Sequence, residues 1–130
     1  MTPDLQAALL CEDVRIEASG SNTLVGVLHA IATPMLPVRV MKLCVFTRWC
    51  SGLGDFNQTT RILSEDETTE LGRTETPFHL NDTDNHATNV AVFGGLEFNN
   101  VGDYPIEILL DGNLHLRFNL RVFLVQQTQQ

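Results

Sequence analysis

The chain has 130 residues and a mass of 14.5 kDa, the size of one domain. Hydrophobic residues make up 43% and charged residues 18%, enough for a single core and too apolar for a disordered chain. Eight Lys and Arg against sixteen Asp and Glu give a net charge of −8, which argues against nucleic acid or an anionic membrane as partner, and no stretch nears the ~20 apolar residues of a membrane-spanning helix.

Residues 1–10 place no Lys or Arg ahead of their short apolar run and no small-residue cleavage site after it, so no secretory signal is expected. Within them, only residues 5–10 offer room for a helical turn or two. Val14, Ile16 and Ala18 then alternate with Asp13, Arg15 and Glu17 as a first strand, closed by Ser19-Gly20-Ser21-Asn22. Residues 24–32 are a nearly continuous apolar run, read as the second strand. Pro34 and Pro37 bracket a crossover, since proline cannot donate to a ladder.

Residues 38–49 form a third strand that is apolar on both faces: Val40, Cys44 and Phe46 on one, Met41, Leu43, Val45 and Trp49 on the other. Ser51-Gly52-Leu53-Gly54 ends it. Residues 56–64 are polar and Thr-rich, which suits an edge strand. An acidic connection follows, then a weak strand over residues 71–80 broken by Pro77, and a polar loop over 81–85. In the next strand Val90, Val92, Leu96 and Phe98 share a face, with Gly94-Gly95 marking a bulge or a close backbone approach.

The last two strands alternate most clearly, Tyr104 to Leu110 and Leu114 to Leu124. Placing both Leu110 and Leu114 inward requires an odd loop, here Asp111-Gly112-Asn113. The polar tail, residues 126–130, is expected to fray.

Short strands with turn signals between them predict an all-β fold: an antiparallel β-sandwich of about eight strands, immunoglobulin-like or a related Greek key, in one domain over residues 1–125. Asn100-Val101-Gly102-Asp103-Tyr104 resembles the tyrosine corner of immunoglobulin-like domains, and Trp49 stands on a strand where a Trp is often buried. The opening Glu12-Asp13-Val14-Arg15-Ile16-Glu17, with Leu24-Val25-Gly26-Val27-Leu28, Ile31, Pro34 and Pro37 and the late Gly102-Asp103-Tyr104, is similar to a family of small uncharacterised bacterial proteins. That resemblance covers about a third of the chain; it implies a β-sandwich and no established activity.

Cys11, Cys44 and Cys50 are an odd set. Six residues along a strand span roughly 20 Å, so Cys44 and Cys50 are too far apart to bridge. Free thiols in a reducing cytoplasm are expected, which leaves the glycosylation sequons at Asn57 and Asn81 without meaning.

The densest polar cluster is residues 79–86. Asp82 and Asp84, with Asn81 and Asn85, offer hard oxygen ligands as Ca²⁺ prefers, and His79 and His86 with one Asp suit Zn²⁺; the competing reading is a turn in which Asn and Asp cap their own backbone. Asp55 and Asp103 extend the cluster if one end of the sandwich gathers them. No nucleophile elbow, no Gly-rich phosphate loop and no thiol in a basic setting is present, so neither catalysis nor a cofactor is expected. His29 reads as a hydrogen-bonded core or interface histidine inside a strand, and His115 as outward-facing.

Charge is uneven: residues 51–111 carry twelve acids and two bases, whereas residues 1–50 balance four against four. Because the second and third strands show little wet face, a homo-oligomer or a protein partner is expected on the side away from the core, with Val25, Val27, Met41, Leu43 and Val45 as candidate contacts. The expected function is therefore non-enzymatic protein contact, with a metal- or small-ligand-binding module on the 79–86 loop as the alternative.

Overall fold

A computed structural model describes residues 1–126; the remainder of the polar tail, 127–130, lies outside the described residues. Nine strands form two sheets: β1 (Asp4–Ile16), β2 (Asn22–Val27), β3 (Ala30–Thr33), β4 (Val38–Cys50), β5 (Gly54–Leu63), β6 (Glu70–Leu80), β7 (His86–Phe98), β8 (Gly102–Leu110) and β9 (Asn113–Leu124). The four-stranded sheet runs β2-β1-β4-β7 and the five-stranded sheet β3-β9-β8-β5-β6. All pairings are antiparallel except β3 with β9. The order β1-β4-β7 facing β5-β8-β9 matches the A-B-E and C-F-G arrangement of immunoglobulin-like sandwiches.

The core lies between the sheets. Leu10, Val45, Trp49, Ala91 and Phe93 enter from one side, and Ile62, Ile106, Ile108, Leu120 and Val122 from the other. Tyr104 is buried, stacks edge-on against Phe98 at 4.8 Å, and donates its hydroxyl to the Asn100 carbonyl at 2.6 Å. This is the tyrosine corner expected from the sequence.

Several local expectations fail, each for a physical reason. Residues 5–10 are not helical: β1 ladders against β4 from Asp4↔Cys50 to Cys11↔Cys44, and a bulge between Leu5 and Ala7 interrupts the alternation that would have announced a strand. The apolar run 24–32 is two strands, because the chain leaves one sheet at Val27 and joins the other at Ala30; His29 lies exposed in that crossover. Residues 56–64 are not an edge. β5 sits between β6 and β8, and its polar residues bond across the sandwich or within a charged row. The edge on that side of the sheet is β6, where Pro77 is tolerated without breaking the strand.

The inward face of β4 switches between Val40 and Leu43, and that of β7 switches across Gly94-Gly95. Val38, Val40, Leu96 and Phe98 pack on the core below the switch, and Leu43, Val45, Ala91 and Phe93 above it. Val90 and Val92 therefore do not share a face with Leu96 and Phe98. Gly95 has φ +67, the left-handed turn that permits the switch.

The last hairpin closes with two residues, Asp111 (φ 49) and Gly112 (φ 84), rather than three. Leu114 consequently turns outward. The pairs Ile108↔Leu116 and Leu109↔Leu114 leave His115 as an extra residue, which restores the inward parity of Leu116. His115 also leans edge-on against Trp49 at 5.2 Å instead of pointing away.

Candidate functional site

The register of the four-stranded sheet places residues directly opposite one another in rows on its outer face. Val27, Cys11, Cys44 and Val92 form one row, and Leu9, Phe46 and Val90 the next. Their parity is opposite to that of Leu10, Val45 and Ala91, which enter the core. Val27 is 55% exposed, Val92 51% and Leu9 41%, while Cys11, Cys44 and Phe46 are sealed between them. Polar pairs bound this apolar centre: Lys42 Nζ to Asp13 Oδ1 at 2.7 Å on one side, and Arg48 Nε to Thr88 Oγ1 at 3.3 Å on the other.

All three cysteines are free. Burial pushes the Cys11 and Cys44 thiols up from their ordinary value, so both behave as small apolar groups rather than nucleophiles.

The outer face of the five-stranded sheet has the opposite character. Arg73, Arg61, Glu107 and Arg117 form a row across β6, β5, β8 and β9. Glu107, nearly buried, accepts Arg61 Nε at 2.7 Å and Arg117 at 3.3 Å, and Arg117 also pairs with Glu67. Arg121 meets Asp103 at 3.0 Å, and Arg73 meets both Glu70 and Glu75. Its charges are consumed by one another.

Of the expected contacts, Val25 and Val27 lie on the outer face of the four-stranded sheet and Met41 is 74% exposed. Leu43 and Val45 do not belong with them: both are buried in the core, because the parity switch in β4 turns them inward.

The 79–86 loop is a self-capping turn. Asp82 Oδ1 accepts the Asp84 amide at 2.9 Å, Asn85 Nδ2 donates to Asn81 Oδ1 at 2.8 Å, and His86 already belongs to β7 opposite Cys50. Asp82, Asp84 and His86 are not gathered as ligands, and no group of three His, Cys, Asp or Glu among the described residues is placed to hold a metal ion. Asp55 and Asp103 are at opposite ends of the five-stranded sheet; Asp55 pairs with His79 Nδ1 at 2.6 Å, Asp103 with Arg121.

A second feature escaped sequence reasoning: a cleft of about 550 Å³ between β1, β3 and β4, with Glu12 at its rim. The signal for it was the small residues Gly26, Ala30 and Ala32, which read only as part of an apolar run.

No helix among the described residues is long and apolar enough to cross a membrane. No curated protein matches the chain. Residues 6–123 match the family model DUF6941, a family of unknown function, and the chain belongs to that family.

Proposed function

We propose that this member of a family of unknown function works by protein–protein contact and not by catalysis, through the outer face of its four-stranded sheet. The observation that carries this reading is the apolar centre built by Leu9, Val27, Phe46, Val90 and Val92. A sandwich strand ordinarily wets one face, and an apolar patch rimmed by polar pairs is characteristic of an interface. The first occupant is a second copy of the chain. Among the described residues the one ion pair bordering the face, Lys42 with Asp13, is internally neutral, so that pair sets no like charge against a second copy. Three cysteines without a disulfide support a reducing, cytoplasmic setting.

The test is the mass in solution, by light scattering across a wide concentration range. A mass of two chains that falls to 14.5 kDa for Val92→Glu, with unchanged circular dichroism, supports the proposal. Single-chain mass at every concentration for the unaltered protein overturns self-association, and identical behaviour of wild type and Val92→Glu removes the face from consideration.

A further inference from the structure

The ladder between β1 and β4 stops at Cys11↔Cys44. Beyond it the two strands part. Residues 13–16 of β1 pair with β2 alone, and residues 38–40 and 42 of β4 pair with β7 alone. Two side-chain links cross the fork: Lys42 to Asp13 on the outer face, and the Cys44 thiol to the Glu12 carbonyl at 3.9 Å. The β1–β2 hairpin thus stands away from the sheet, and β4 has no strand beside its near edge over the stretch where it changes faces.

The cleft described above opens at this fork. Its walls are Leu28, Ile31, Val40, Met41 and Leu43, with Glu12 at the rim. The volume lies within the ~300–1,000 Å³ usual for ligand pockets, and the lining is mostly apolar with two charged residues, Glu12 and Lys42, of which Lys42 is engaged by Asp13. Glu12 has no ion-pair partner among the described residues, because the nearby ammonium of Lys42 is taken by Asp13.

Its position is built by the residue opposite. Gly26 has φ +66, and a Cβ there would fall 2.5 Å from the Glu12 carboxylate. Any other residue at 26 would both strain the backbone and displace the carboxylate from the rim.

An unpartnered strand edge, an apolar trough and an uncompensated carboxylate together define a complementary guest. We propose that the fork between the β1–β2 hairpin and β4 binds an extended peptide segment of a partner protein that presents an apolar side chain next to a Lys or Arg. The segment adds its backbone to the free edge of β4. Its apolar side chain fills the trough, and its cation meets Glu12. This site adjoins the outer-face contact at the Lys42–Asp13 pair, but Val92 lies on β7, two strands from Glu12, and so tests that contact alone.

The experiment is selection from a random-peptide display library on the immobilised full chain, in parallel with Glu12→Lys and Val92→Glu. The proposal expects the wild type to enrich sequences with a Lys or Arg beside an apolar residue, and Glu12→Lys to enrich Asp or Glu at that position. Val92→Glu should select the same peptides as wild type, which separates this site from the outer face. A synthetic copy of the most enriched peptide should bind Glu12→Gln about tenfold more weakly. It should also shift the amide resonances of residues 12–16, 30–32 and 40–43.

Failure to enrich any charge pattern, or a pattern unchanged by Glu12→Lys while that variant keeps the wild-type melting temperature, overturns the proposal. So does a set of shifted amides that lies elsewhere.

Discussion

The amide oxygen of Gln58, on β5, receives hydrogen bonds from three side chains of the opposite sheet: Trp49 Nε1 at 2.7 Å, Asn89 Nδ2 at 2.9 Å and Thr47 Oγ1 at 3.0 Å. Its own amide nitrogen donates to Thr60 at 2.8 Å. Because every member is buried, this network works as a key that fits only one registration of the two layers. Gln58→Leu keeps the bulk but strands the indole N–H and the Asn89 amide, and should cost about 3 kcal/mol in denaturant titration. Fluorescence of the single Trp reports it directly. A second residue-scale prediction concerns acid. Ser64, together with the amide and hydroxyl of Thr68, donates to Asp66, holding its carboxyl well down, to about 2. A carboxyl that holds its proton less firmly folded than unfolded stabilises the fold above its ordinary titration range. That contribution fades as pH falls from about 4 through about 2. Carbon chemical shifts of the Asp66 carboxyl should show a midpoint near 2, and Asp66→Asn should remove this part of the acid dependence.

Among elements, β4 and β7 carry the least expected behaviour, since both exchange their inward and outward sides at the same level. Gly95→Ala places a Cβ at φ +67 and 3.3 Å from the Arg39 guanidinium. It should cost about 1–2 kcal/mol, measured by thermal melting, whereas Gly20→Ala, with nothing within 4 Å, carries the backbone strain alone. The switch also explains which parts of the fold were legible. Period-two patterning located the extended segments from β4 onward, and the Asn100–Tyr104 corner was read from five residues because its hydrogen bond is local. What failed was parity: bulges at Leu5/Ala7 and His115, and the turn at Gly95, each shift the alternation by one position. A one-residue slip reverses every side chain after it, which is why alternation alone sets Leu43 and Val45 on the surface and Leu114 in the core. The candidate site suffered more. The outer rows join residues from four strands, and the fork cleft from three, so neither exists as a motif along the chain.

For the molecule as a whole, the two broad faces of the sandwich are unlike. One is a lattice of ion pairs around Glu107, and the other an apolar field around Cys11 and Cys44. If a second copy covers the apolar field, association stabilises only the folded state, and the melting temperature should rise with protein concentration. Calorimetry over a hundredfold range should show that rise for the wild type and none for Val92→Glu. The parallel pairing of β3 with β9 has its own outcome for how the chain comes together. Ala30 meets Arg121 and Thr33 meets Leu124, so among the described residues an early strand has as its one ladder partner a strand that comes six strands later in the chain. During synthesis β3 must wait, unzipped, until β9 has left the ribosome. A version stopped just before Asn113 would leave that ribbon orphaned and bare β8 along one side, making β9 the clasp of the five-stranded layer.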